Sequence, residues 1–194
     1  MIAIIGAGGF AREVKAQMLD TYGNIKIDFF VDEQFVDKNS KSINNLDINT
    51  YEIVVAIADP VTRKRIVENL PTNTKYHTFI HKSANIFSND IGMGSIICAN
   101  STITTNVKLG AHCHINPSTT IGHDTELGNY FTACPGVNIS GNCKIGDCVY
   151  FGTNSAIKQK TKISSNVIIG MGSMVINDIN ESGVYVGTPS RKLK

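Results

Sequence analysis

Near its middle the chain changes its hydrophobic period. Over the first 75 or so residues the apolar positions come as short runs between stretches of helical spacing. "IAII" at 2–5 meets "GAGGFAREVKAQML", where glycines give way to a helical repeat, which predicts strand, tight turn and helix. "IDFFVD" at 27–32 and "IVVAIAD" at 53–59 read as two further buried parallel strands. Asp59 then caps and Pro60 opens a helix running to Leu70, with Pro71 just beyond. These elements make a small α/β unit of βαβ (Rossmann-like) type. From Ile91 the period becomes six: residues 91, 97, 103, 109, 115, 121, 127 and onward to 175 are Ile, Leu, Val or Phe in every hexad but one, where Ala133 stands.

A period of six fits neither a helix nor a run of hairpins, because no Asn-Gly or Asp-Gly turn falls in the repeat. It fits a coil of three short flat faces, one hexad each, stacked into a β-helix. The first residue of each hexad and the small or β-branched fifth, as at Ser95, Ser101, Val107, Cys113, Thr119 and Thr125, point inward. The second residue, glycine at 92, 110, 122, 128, 146, 152 and 170, is expected to let the backbone turn the corner. Three hexads make an eighteen-residue coil, so residues eighteen apart stack at roughly 4.8 Å, the strand spacing. His123 then follows Thr105 and precedes Gly141, Gln159 and Asn177 in one column; Asp124 shares its column with Asn106, Asn142 and Lys160. His123, third in its hexad, occupies an outward-pointing corner.

Composition narrows the field. With 194 residues, 42% of them hydrophobic, and a net charge of +2, the chain is a globular protein without the basic surface of a nucleic-acid binder. The N-terminal apolar stretch is too short for a signal peptide or membrane span. Five cysteines with no CxxC pair argue against a disulfide framework and fit a cytoplasmic protein. Cys113 and Cys143 fall on the inward fifth position and are explained by packing.

The "[LIV]-G-x-x-[STV]-x" tandem resembles the left-handed parallel β-helix of hexapeptide-repeat acyltransferases over residues 86–189, and so does the ending "GVYVGTPSRKLK". The "GAGG" unit, the link "HKSA" at 81–84 and "IGHD" together resemble the bacterial sugar acetyltransferases of the NeuD/PglD type. That resemblance implies a nucleotide-sugar-binding domain at 1–80 and a left-handed β-helix acetyltransferase domain at 81–194. It implies acetyl-CoA as acyl donor with no metal, and a nucleotide-linked amino sugar as acceptor in surface-glycan biosynthesis. It further implies a homotrimer with sites between subunits.

Residue by residue, the resemblance makes His123 the general base that takes a proton from the attacking amine or hydroxyl, a task suited to imidazole. Asp124 would orient or polarise it, and the Gly141 backbone N–H would hold the thioester oxygen. A pantetheine arm lying along the helix from residue 123 to 177 spans three coils, roughly 14 Å. It would leave the phosphates near Lys158, Lys160, Lys162, Arg191, Lys192 and Lys194. "GAGGFA" satisfies a phosphate-binding fingerprint, so Gly6, Gly8, Gly9 and Phe10, with the acidic pair Asp32 and Glu33, are the expected nucleotide contacts.

The chain departs from the family pattern at Phe10 and Ala11, where relatives often carry His and Gly, at Ala58-Asp59, and at Thr132 in place of a histidine. These departures leave the sugar and its nucleotide open. O-acetylation of a sialic acid or other sugar is the alternative within enzymes, and a non-catalytic assembly scaffold the alternative outside them. A γ-type carbonic anhydrase shares the β-helix, but the spacing of His81, His112, His114 and His123 lacks its zinc pattern. His112 and His114 are expected to approach His123 only across a subunit boundary, His81 to order the domain joint, and His77 carries no signal.

Overall fold

The computed structural model describes residues 1–193; Lys194, counted above among the C-terminal basic residues, lies outside them. The N-terminal part runs β1 (Ile2–Ile5), α1 (Gly9–Tyr22), β2 (Ile27–Val31), β3 (Ser40–Ser42), β4 (Glu52–Val55) and α2 (Pro60–Asn69). Its strands form one parallel sheet in the order β3-β2-β1-β4. β3, "SKS", was not foreseen: it is an edge strand half out of the core and has no apolar pattern to betray it. β4 ends at Val55 because the chain must leave the sheet to reach its helix cap, where Thr62 N–H donates to Asp59 Oδ1 at 2.7 Å. α1 turns Ala11, Val14 and Met18 to one side of the sheet, where they share a core with Phe79, Ile96 and Cys98 of the β-helix. On the other side Ile66 and Val67 of α2 pack over Ala3, Ile5, Ile53 and Val55.

The second part is a parallel β-helix of two-residue strands with three faces. The first face stacks Phe79–Ile80, Ile96–Ile97, His114–Ile115, Thr132–Ala133 and Tyr150–Phe151 and carries the N-terminal domain; we call it the docked face. The second turns Asn85, Thr102, Thr120, Asn138, Ala156 and Met174 outward and is uncharged. The third turns Asp90, Lys108, Glu126, Lys144 and Lys162 outward and is charged. Strands pair eighteen residues apart, as with Thr102 and Thr120, except at the two ends: in the first coil Phe79 pairs with Ile96 and Asn85 with Thr102, seventeen apart, and in the last Val167 pairs with Gly183, sixteen apart. The coil therefore begins before the repeat can be counted. Inside, the first-position aliphatics and the fifth-position residues are buried without exception from Ser95 to Thr125. Each buried Ile contributes roughly 1.5–3 kcal/mol.

The corners turn differently from expectation. The fourth residue of every hexad from Gly94 to Gly172 takes the left-handed conformation, Asn at 100, 106, 142, 154 and 166 and Asp124 among them. Asn and Asp adopt it at lower cost than other side chains, which explains their frequency in that column. The second-position glycines answer a different demand, close stacking. A Cβ on Gly122 would lie 2.5 Å from Gly141 N in the next coil, and one on Gly110 2.5 Å from Gly128 C.

Candidate active site

His123 stands at the vertex between the uncharged and charged faces, opposite the docked face. Its side chain is 57% exposed and that of Asp124 45%. In an extended strand neighbouring side chains diverge, but Asp124 has φ 58°, and this turn swings its carboxylate back against the ring. His123 Nδ1–H donates to Asp124 Oδ2 at 2.7 Å, and Asn106 Nδ2, one coil before, donates to Asp124 Oδ1 at 3.1 Å. Those two bonds, the histidine's first, hold the Asp124 carboxyl below its ordinary range and keep it ionised. An ionised carboxylate only accepts, so Nδ1 carries a proton, and in the neutral imidazole the lone pair is the one on Nε2.

The position of Nε2 is set by Gly141. A Cβ there would lie 2.7 Å from Nε2 and 2.9 Å from Cε1, so the imidazole lies flat over a residue with no side chain. The Gly141 carbonyl accepts from Lys160 N–H at 3.0 Å, while its own N–H makes no hydrogen bond among the described residues. One vertex thus presents a proton acceptor, an ionised partner and an uncommitted N–H within one coil spacing. Lys158 and Lys160 are exposed on the same vertex one coil beyond Gly141. Arg191 is not with them: it pairs antiparallel with Val186 on the docked face, next to Lys192, which is ion-paired with Glu181 at 2.7 Å. The C-terminal cations are therefore divided, Lys158 and Lys160 at the vertex, Lys162 on the charged face, and Arg191 and Lys192 on the docked face, where the chain folds back on itself after Gly187.

The other histidines lie elsewhere. His112 and His114, expected to approach His123 only across a subunit boundary, are buried beneath the N-terminal domain, 3% and 0% exposed. Burial, reinforced by Arg63, lowers His112 to about 4 and His114 well below its ordinary value. His81 bonds Asp20 of α1 and Ser83 and orders the joint between domains, and His77 bridges Glu52 and Tyr22. No group of three or more His, Cys, Asp and Glu side chains converges among the described residues.

The N-terminal domain holds a cavity of about 1120 Å³ at the C-terminal ends of β1 and β2. Gly6, Gly8 and Asp32 line it; Gly9, Phe10 and Glu33 do not. Phe10 instead turns to the β-helix, its ring 5.0 Å from that of His114. The cavity is completed by residues that had not been singled out, Phe35, Asn44, Thr62, Arg65 and Asn69 among them. Thr62, Arg65 and Asn69 recur at helical spacing in α2 after a cap at the sheet's C-terminal edge, a signal the sequence does contain.

Residues 1–70 match the family model of the PglD N-terminal domain. Over its whole length the chain is 29% identical to GDP-perosamine N-acetyltransferase of Escherichia coli O157:H7, covering 96% of that protein. The acetyltransferase domain of PglB from Neisseria gonorrhoeae, solved with acetyl coenzyme A, superimposes with a TM-score of 0.87 at 30% identity, over 99% of this chain and 98% of that one. WeeI from Acinetobacter baumannii AYE aligns with a TM-score of 0.90 at 26% identity, over 100% of this chain and 99% of its own. No helix among the described residues is long and apolar enough to cross a membrane. A Rossmann-like domain docked on a left-handed parallel β-helix, with matches running the length of the chain, shows that this protein belongs to the NeuD/PglD-type hexapeptide-repeat sugar acetyltransferases.

Proposed function

We propose that the protein transfers the acetyl group of acetyl-CoA to the amine of a nucleotide-linked amino sugar, in bacterial surface-glycan synthesis, with His123 as general base. The observation that carries the mechanism is the tautomer fixed at the vertex: Nδ1–H held by an ionised Asp124, Nε2 open over Gly141. An amine adding to the thioester carbonyl must lose a proton, and Nε2 takes it. The uncommitted Gly141 N–H donates to the oxygen that gains charge as the amine adds. The proton held on Nε2 then serves the departing thiolate, so the imidazole returns to its starting form. Lys158 and Lys160, further along the vertex, suit the phosphates of the donor. The cavity lined by Gly6, Gly8 and Asp32 suits the nucleotide of the acceptor, and the two parts of the chain act as an acceptor-holding domain and a transfer domain.

In one chain these parts do not face each other, because the N-terminal domain rides on the docked face and His123 stands at the opposite vertex. A neighbouring subunit must bring acceptor and base together, which supports a homotrimer with shared sites. The uncharged second face, turning out Thr102, Thr120, Asn138 and Ala156, suits contact with another copy. The chain's composition and free cysteines support a cytoplasmic location.

The test is to incubate the protein with acetyl-CoA and a panel of nucleotide-linked amino sugars, with GDP-linked and UDP-linked acceptors in parallel, and to follow thiol release. One acceptor should give turnover and an amide product. Thiol release with none of them, or an ester product, removes this reading. Sedimentation should give three times the 21.0 kDa chain mass at micromolar concentration.

A further inference from the structure

Arg63 is fully buried and forms no ion pair; the Asp59 carboxylate acts on it only through space. It leaves α2 on the side of the docked face, and all of its donors are used. Nε donates to His112 O at 2.9 Å. Nη1 donates to Ile57 O at 2.6 Å, to Ala58 O at 3.2 Å and to His114 Nδ1 at 3.1 Å. Nη2 donates to Tyr130 O at 2.7 Å, Phe131 O at 3.3 Å and Thr132 Oγ1 at 2.9 Å. One guanidinium thus ties the loop after β4 to two successive coils. Burial lowers it to about 10, so it stays charged at neutral pH. An unpaired buried charge is costly even when hydrogen-bonded, and an apolar side chain would hold two domains together more cheaply.

What the arrangement secures is the geometry of the first glycine loop, which it reaches by two routes. Ile57, whose carbonyl takes the shortest of these bonds, packs on Gly6 so closely that a Cβ there would lie 2.9 Å from Ile57 Cδ1. His114, accepting from Arg63 at Nδ1, donates from Nε2 to Val55 O at 3.0 Å, and its ring backs Phe10 at the start of α1. Thr132 accepts from Arg63 and donates to Ala58 O at 3.0 Å, closing the same loop from the β-helix side. The apolar seam formed by Phe79, Ile96 and Cys98 lies under α1 in the first coils, so docking alone does not require this cluster, which spans the next two coils.

We propose that Arg63 is a positioning residue for the acceptor: it fixes the loops at 6–10 and 57–59 against the β-helix so that a nucleoside diphosphate group held in the N-terminal cavity is presented in register with the transfer site. This rests on the function proposed above. The experiment measures binding of GDP, UDP and CoA by calorimetry, with KM and kcat for the active acceptor, in the wild type, Arg63→Met and Thr132→Val. Arg63→Met should weaken nucleoside diphosphate binding and raise the acceptor KM by about tenfold or more, with CoA affinity and the acetyl-CoA KM within about twofold. Thr132→Val, which removes one acceptor and one clamp, should show the same selective change at about threefold. Equal loss of nucleotide and CoA binding marks a purely structural role and overturns the proposal, as does no change in either. If Arg63→Met does not fold, Thr132→Val decides by the same criterion. A wild type that binds neither GDP nor UDP refutes the proposed function and this inference together. A wild type that binds one, with variants that bind it equally well, refutes only the inference.

Discussion

Two neighbouring corners of the β-helix carry histidines and have opposite characters. "GAHCHI" at 110–115 puts His112 on the left-handed fourth position and His114 on the outward sixth, both under the N-terminal domain. "GHDTEL" at 122–127 puts His123 on the third position of a free vertex, with a carboxylate turned onto it. In the first, desolvation keeps the imidazoles neutral and enclosed among Arg63, Tyr76, Tyr130 and Phe10. In the second, a hydrogen bond keeps one nitrogen protonated and the other open to solvent. Residue type is the same; place in the hexad, and which face the domain covers, decide whether a histidine is sealed into the domain joint or left facing solvent.

The sharpest way to break this comparison is to remove the exposed member, the base proposed above. His123→Ala should lower kcat by about 10²- to 10⁴-fold with the acetyl-CoA KM nearly unchanged, and His123→Asn should be as slow, since it cannot take the proton. Steady-state kinetics retaining half of wild-type turnover in either variant would show that His123 is not the base.

The buried corner should show itself in acid. His112 at about 4 lies below the usual histidine value of roughly 6.5, so between those pH values the unfolded chain binds a proton that the folded chain refuses. Stability is therefore complete above pH ~6.5, falls as pH drops through it, and has lost on the order of 3 kcal/mol near pH 4, with His114 adding in the same direction. Urea titrations across that range should show this slope, and His112→Asn, whose side chain tolerates the left-handed turn, should flatten it.

Smaller changes at the reactive corner sharpen its geometry. Gly141→Ala places a methyl group where only 2.7 Å separates it from Nε2, so the ring must move by several tenths of an ångström. Turnover should fall about 10²-fold while the protein stays folded, which circular dichroism beside kinetics would establish. Asp124→Asn keeps an acceptor for Nδ1–H but removes the charge, and should cost about tenfold or less in kcat. A loss as large as that of His123→Ala would make Asp124 more than an orienting partner.

Much of this corner was legible beforehand. The eighteen-residue stacking that puts Gly141 beside His123 follows from counting hexads, and the inward first and fifth positions follow from their residue types. The convergence of His123 and Asp124 was not legible, because it depends on which residue of the hexad takes φ near +60°, and side chains at that position range from Asn to Tyr130, Cys148 and Lys160. The shortened first coil escaped because strands at Phe79 and Asn85 precede the regular repeat. Arg63 escaped because "TRKR" offers three cations in a row. Only the helix phase, which places Arg63 three and four residues before Ile66 and Val67, marks it as the one on the inward stripe.

The seventeen-residue first coil gives way to a strict eighteen from Asp90 to Val175, and over that stretch the strictness acts as a ruler. Along the His123 vertex, positions available to a ligand come only in steps of one coil, roughly 4.8 Å. The span between His123, the base proposed above, and the lysines proposed for the donor phosphates is therefore counted in coils rather than adjusted continuously. An insertion of eighteen residues between Gly141 and Lys158 would lengthen the site by one step and leave every corner in phase. An insertion of one or two hexads would turn the lysines to another face. Donor arm length is thus written into this protein as an integer.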